Sequence, residues 1–393
     1  MFISNDIRYI GVNDHQVTLF EGQYDVPLGM AYNSYVILDE KIAVMDTVDA
    51  HFGKEWLANL TAALAGRTPD YLVVQHMEPD HSANIAAFMD AYPAVTVVAS
   101  QAAFRMMKQF YGSDYADRRL VVGEGDTLAL GRHTLTFLTA PMVHWPEVIV
   151  TYDCTDKVLF SADGLGKFGA LDVEDPEGWA CEARRYYFGI VGKFGAQVQA
   201  LLKKAAAVDI QTVCPLHGPV LTGKELAEAL RLYDIWSRYD VESEGVMIAY
   251  ASVYGNTENA ANILACRLAE RGVKVKMYDV SVTPSSYVVS EAFRYSHLVF
   301  AAPTYNGGVF ITMDELLRDI ASHGLQNRRF ALLENGTWAP VTARQMAALI
   351  EPLKGWQQVG APVTIRSAAH EAQMQAIEQL AAAISGDISG ENQ

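Results

Sequence analysis

Four metal-competent side chains fall within six residues, His76-Met-Glu78-Pro-Asp80-His81, directly after the apolar run Tyr71-Leu-Val-Val-Gln75. A cluster of this kind at the end of a strand makes a metal site the leading reading. The plain alternative is a polar turn with a histidine at each end. Glu78 is the rarer member, because a zinc hydrolase built on this spacing usually carries histidine there. An anionic oxygen in place of a neutral imidazole raises the negative charge of the site and favours a harder, redox-capable metal such as iron.

The rest of the chain supplies further ligands in the same way. His144 follows Leu135-Thr-Phe-Leu-Thr-Ala-Pro-Met-Val143, Asp163 follows Val158-Leu-Phe-Ser-Ala162, and His217 follows Ile210-Gln-Thr-Val-Cys-Pro-Leu216. Each run is strand-like, and ligands from several strand ends converge on one rim of a packed sheet. His76, Glu78 and His144, with Asp80, His81 and His217, make two sets of three. Asp163 has two oxygens and can hold one ion on each. Any one of these histidines alone could be a core residue donating to a carbonyl; their joint occurrence speaks against that for the set.

Residues from about 30 to 240 resemble the metallo-β-lactamase-like domain of the flavodiiron proteins, also called A-type flavoproteins. The motifs are His76-x-Glu78-x-Asp80-His81, His144-Trp145-Pro146, Ser161-Ala-Asp163 and Pro215-Leu-His217-Gly218. The resemblance implies one iron on His76, Glu78 and His144, a second on Asp80, His81 and His217, and Asp163 between them. Where the family often has Asp-Ser-Met after His-Trp-Pro, this chain has Glu147-Val-Ile149. That departure touches none of the seven ligand positions.

A second signal begins near Gly245. Val246-Met-Ile-Ala-Tyr-Ala-Ser252 reads as a buried strand, and Val253-Tyr254-Gly255-Asn256-Thr257 opens an amphipathic helix from Glu258 to Arg271. A glycine-containing loop before a helix presents backbone N–H groups and the positive dipole end to a phosphate, with the Ser252 and Thr257 hydroxyls as added donors. The G-x-x-x-x-G-K-[ST] order is absent, which disfavours a nucleoside triphosphate. Two later loops, Pro303-Thr304-Tyr305-Asn306-Gly307-Gly308 and Asn335-Gly336-Thr337-Trp338-Ala339-Pro340, follow strand-like runs at the end where open α/β sheets bind ligands. Tyr305 and Trp338 offer aromatic faces, with a half-buried surface packer as the alternative for Trp338. Residues of about 245 to 386 resemble flavodoxin, which implies that the first loop holds the FMN phosphate and the two later loops hold its ring.

The expected architecture is α/β throughout: an αββα sandwich over residues 1–244 and a doubly wound parallel sheet over 245–393. The polar stretch Tyr239-Asp-Val-Glu-Ser-Glu-Gly245 marks the boundary, Ser34 to Asp46 reads as a hairpin turning at Asp39-Glu-Lys, and the tail from Gly386 reads as frayed. Asp46 could brace the metal loop or simply end a strand. A formal charge of −16 argues against nucleic acid and anionic membrane surfaces. No apolar run is long enough to span a bilayer and the N-terminus lacks a signal-peptide pattern, so the expected address is the cytoplasm. Cys154, Cys181, Cys214 and Cys266 form no C-x-x-C pair, which fits a reducing compartment and excludes a rubredoxin module on this chain.

By resemblance the cofactors are FMN and two irons, and the activity is reduction of dioxygen to water or nitric oxide to nitrous oxide. Electrons would come from a separate donor: a rubredoxin, a reductase or a reduced deazaflavin. A head-to-tail homodimer, or a dimer of dimers, would set one subunit's flavin beside the other's irons. Tyr187, or its neighbour Tyr186, is the candidate proton source, with helix packing as the alternative for both. Two competing functions are a metallo-β-lactamase-fold hydrolase with an accessory flavodoxin domain, and an electron carrier with a vestigial metal site.

Overall fold

Short aliphatic runs broken by glycine, proline and polar turns build the N-terminal part into two facing sheets. The structure is a computed structural model and describes residues 1–390. The chain divides into two compact units, Met1–Asp234 and the residues from Ile235 on.

In the first unit, one six-stranded sheet runs in the order Ile7–Tyr9, Tyr35–Leu38, Ile42–Met45, Tyr71–Val74, Thr96–Ala99 and Arg119–Val121. The expected hairpin is present, with Leu38 opposite Ile42 and Asp39 Oδ1 accepting the Glu40 amide. From Ile42–Met45 onward the pairing is parallel. The second sheet runs Thr127–Ala129, Thr134–Thr139, Ile149–Asp153, Val158–Phe160, Thr212–Cys214 and Leu221–Thr222, antiparallel except where Val158–Phe160 meets Thr212–Cys214. Ile37, Ala43, Val73 and Val98 from one sheet share a fully buried core with Leu135, Phe137, Ile149 and Phe160 from the other. The expected strand from Leu135 to Val143 stops at Thr139, because Pro141 has no N–H to give a ladder. His144 therefore stands on a loop beyond the strand end.

The second unit is a parallel sheet in the order Val275–Asp279, Ser243–Tyr250, Tyr295–Tyr305, Arg329–Asn335, the last of which pairs with both Gln357–Gln358 and Val363–Ile365. Its first strand starts at Ser243, inside the polar stretch that marks the expected boundary. Ser243 pairs with Tyr295 there, and buried Arg328 ties down the residues before it, its guanidinium donating to the carbonyl of Tyr239 at 2.9 Å. The tail expected to fray from Gly386 instead continues the helix Glu371–Ser389, anchored by Ile377, Leu380, Ala381 and Ile384 in the core. The last three residues of that tail lie outside the described residues.

Candidate metal centre and cofactor pocket

The seven sequence-predicted ligands gather at one rim of the first unit in two groups. In the first, Glu78 Oε2 lies 3.0 Å from His144 Nε2 and 3.3 Å from His76 Nε2. Asp163 Oδ2 lies 3.0 and 3.3 Å from the same two nitrogens. In the second, Asp80 Oδ2 is 3.2 Å from Nε2 of both His81 and His217, which are 2.9 Å apart. The other oxygen of Asp163, Oδ1, faces this group at 3.6 and 3.8 Å. One carboxylate thus divides its two oxygens between two separate sets of donors, the arrangement a bridging ligand needs.

The electrostatics fit two cations. Burial alone would depress the His76 imidazole, yet the Asp163 charge and hydrogen bonds to Asp163, Glu147 and Glu78 hold it well above its ordinary value. His144 is raised to about 9, its burial outweighed by Asp163 and Glu78. Asp80 and Asp163, against the effect of burial, are held below the usual carboxylate range by these histidines. The oxygens of Asp80 and Asp163 are buried and meet no well-aligned donor among the described residues, only the clustered imidazole nitrogens, and Nδ1 of His81 is likewise buried without a partner. Buried charges of this kind are paired or coordinate metals, and the donor set of imidazole and carboxylate suits iron.

The scaffold that aims these groups is also visible. Asp46, fully buried and with its carboxyl pushed up to about 6 mainly by desolvation, accepts from the Gln75 amide at 2.7 Å and from Gln75 Nε2 at 2.9 Å, holding the residue before His76. Thr47 Oγ1 donates to the His81 carbonyl at 2.7 Å, and Asn33 Nδ2 donates to the carbonyls of Pro215 and Gly218, 2.8 Å each, on either side of His217. His217 Nδ1 sits 2.8 Å from the Ala31 carbonyl, which leaves Nε2 for a metal. Asp46, Met142, Ala162 and Leu165 all have positive φ, an uncommon conformation for non-glycine residues that clusters where a site dictates the backbone.

Sequence reasoning missed two residues here. Glu147 Oε1 lies 2.8 Å from His76 Nδ1 and accepts the Met77 amide at 2.9 Å, so the carboxylate that departs from the family pattern orients a ligand. Tyr32 packs its ring 6.0 Å from His217 and 6.4 Å from His81. It lines a cavity of about 510 Å³ that also reaches Glu78, Asp80, Glu21 and Asp49. For the tyrosine pair, Tyr187 packs on Tyr233 and Phe188, with ring centroids at 4.8 and 5.0 Å. The ring that meets His217, at 5.4 Å, is that of Tyr186, whose hydroxyl is raised well above its usual range by burial and then by Asp163. Tyr186 thus brings its ring against a ligand of the cluster.

In the second unit the three predicted loops line one cavity of about 400 Å³ at the C-terminal end of the parallel strands. Gly255, at φ +84°, caps the helix Asn256–Glu270, and its amide donates to Ser252 Oγ at 3.1 Å. Asn306 and Gly307 take positive φ between the strand Tyr295–Tyr305 and its return strand Gly308–Val309. Gly336 lies so close to Pro340 that an added Cβ would fall 2.8 Å from its Cα. The cavity wall includes Ser252, Val253, Tyr254, Asn256, Thr257, Pro303, Thr304, Asn306, Gly307, Asn335, Gly336, Thr337, Trp338 and Ala339. Gly255 and Tyr305 are not on the wall, and Ser367 joins it, bonded to Asn335 through both backbone N–H and C=O. Tyr254 and Trp338 are 92 and 87 % exposed, so the rim presents bare aromatic rings.

Residues 30–218 match the ODP family beta lactamase model and residues 248–379 the flavodoxin model. All seven ligand candidates fall within the first span and the whole cavity wall within the second. A nitric oxide reductase of Moorella thermoacetica is 30% identical over 83% of both chains. The chain belongs to the flavodiiron proteins. Two solved structures agree in fold along nearly the whole length. Rubredoxin oxygen:oxidoreductase from Desulfovibrio gigas has TM-score 0.92 and 26% identity, covering 100% of this chain and 99% of that one. The flavodiiron protein of Giardia intestinalis has TM-score 0.91 and 24% identity, covering 99% and 97%.

Proposed function

We propose that this flavodiiron protein is an oxidoreductase that reduces dioxygen to water, nitric oxide to nitrous oxide, or both. The observation that carries the reading is Asp163, whose two oxygens face two separate histidine–carboxylate sets. His76, Glu78 and His144 would hold one iron, Asp80, His81 and His217 the other, and Asp163 both. When bound, two ferrous irons and reduced FMN supply four electrons, enough to take dioxygen to water, while coupling two nitric oxide molecules to nitrous oxide uses two. The loop from Ser252 to Thr257 would hold the FMN phosphate through backbone N–H groups, and the loops at Pro303 and Asn335 its ring. Tyr186 and Tyr32, whose rings pack on His217, and Tyr187 beside them are the candidate proton sources.

Other parts of the reading follow from the surface. The exposed Tyr254 and Trp338 at the cofactor rim suit a second copy of the chain, arranged head to tail so that each flavin serves the partner's metals. Relatives include proteins named rubredoxin-oxygen oxidoreductase and flavorubredoxin, and a separate rubredoxin, reductase or deazaflavin donor fits a chain with no paired cysteines. Four free cysteines suit the cytoplasm, and no helix among the described residues is long and apolar enough to cross a membrane. A hydrolase is disfavoured by Glu78, which adds negative charge where a zinc hydrolase uses a neutral ring.

The test is to reduce iron-assayed, FMN-loaded protein anaerobically and mix it with dioxygen or nitric oxide, following flavin oxidation and products. Water without peroxide, or nitrous oxide, is expected. Peroxide alone, with two irons present, would leave the metal cluster without its role.

A further inference from the structure

An apolar cavity of about 40 Å³ lies between the second sheet of the first unit and the helices Gly195–Ala205 and Gly223–Ser237. Its sheet side is fully buried and includes Val150, Leu159 and Val213. Its helix side includes Leu201 and Leu230, both half-buried. Two of its walls run directly into the metal cluster along the chain: Val143 precedes His144, and Ser161 and Gly164 flank Asp163.

The polar groups on the wall are turned to the backbone. Ser161 Oγ donates to the Gly164 carbonyl at 2.6 Å, and the Tyr233 hydroxyl accepts the Leu165 amide at 2.7 Å. A single water needs roughly 10–15 Å³ of such space and two to four polar partners. Here there is room for more than one heavy atom and little for water to bond to. A small apolar molecule, by contrast, loses nothing on leaving water and gains dispersion contact with the aliphatic wall.

We propose that this cavity binds an apolar diatomic gas and feeds it to the metal cluster from the side of His144 and Asp163. The inference rests on the reductase reading for its ligand class, since dioxygen and nitric oxide are the small, uncharged substrates that reading requires. It gives the substrate an apolar approach distinct from the carboxylate-lined cavity at Glu78 and Asp80.

Xenon is the probe, because it reports apolar cavities without iron or turnover. Crystals of the full chain under xenon pressure are expected to show xenon among Leu159, Val198, Leu201 and Val213, and Leu201→Trp is expected to remove it. Ala205→Leu, a milder filling from the same helix, serves if the tryptophan variant does not fold. In iron-loaded, reduced protein the filled variant is expected to slow nitric oxide arrival, read from the optical change on mixing, by about threefold or more. Azide, an anion with no use for an apolar route, is expected to bind the oxidised protein at the wild-type rate. Absence of xenon in the wild type overturns the proposal. So does a xenon-free variant that admits nitric oxide at the wild-type rate, or one that slows nitric oxide and azide equally. Failure of the reductase reading looks different: xenon still binds, but neither gas is consumed.

Discussion

Glu147 holds the ring of His76 and the Met77 amide with one oxygen. Its loss frees the ring to rotate and leaves the tautomer unset, and removal of such a partner typically costs about 10–100-fold in metal affinity. Glu147→Ala is therefore expected to lose iron to a competing chelator at 10–100-fold lower chelator activity, roughly, while Glu147→Gln, which keeps an acceptor oxygen, loses less. Equal iron retention in the alanine variant would remove Glu147 from the site. At this scale the metal-competent groups were readable because each closes a strand-like run. Glu147 was not, because its partner lies 71 residues away and no spacing ties them. The tyrosine register was not readable either: the helix Trp179–Tyr186 passes into a wider π turn at Tyr187, so a regular 3.6-residue period does not say which ring turns to His217.

Among the elements, the loop that caps Asn256–Glu270 depends on Gly255 at φ +84°. A Cβ meets no atom there, so the cost of Gly255→Ala is conformational, about 1–2 kcal/mol. FMN affinity is expected to weaken by roughly 5–30-fold, measured by flavin fluorescence titration. An unchanged constant would mean the loop does not need this shape to bind FMN. The rim that carries the metal ligands makes a second prediction, about pH. His144 in the metal-free fold titrates at about 9, above its ordinary 6.5. Its stabilising contribution is therefore complete below pH 6.5 and lost as pH rises through 9, worth on the order of 3 kcal/mol. Thermal midpoints of iron-free protein should fall across that window, and those of iron-loaded protein should not follow. Strand positions were legible from β-branched runs, but their lengths were overestimated where Pro141 and Pro215 end the ladder, since the sequence pattern of apolar residues continues past the last available N–H.

For the whole molecule, two independent motif sets made the two-part organisation legible, one of strand-end ligands and one of a loop before a helix. Arg328, far along the chain, fastens the backbone of the polar stretch 239–245 at Tyr239, a contact no local pattern announces. If each flavin serves a partner's metals, specific activity should fall as protein is diluted below the dimer constant while FMN and iron stay bound. Activity independent of concentration in a demonstrated monomer would contradict the head-to-tail arrangement. The central claim is that the metal cluster does the chemistry and the flavin feeds it. It is tested most directly by loading one preparation with iron and another with zinc, at equal FMN content, reducing both, and mixing each with nitric oxide. Rapid flavin oxidation with nitrous oxide in the iron protein, and neither in the zinc protein, is the predicted result; equal flavin oxidation in both would contradict it.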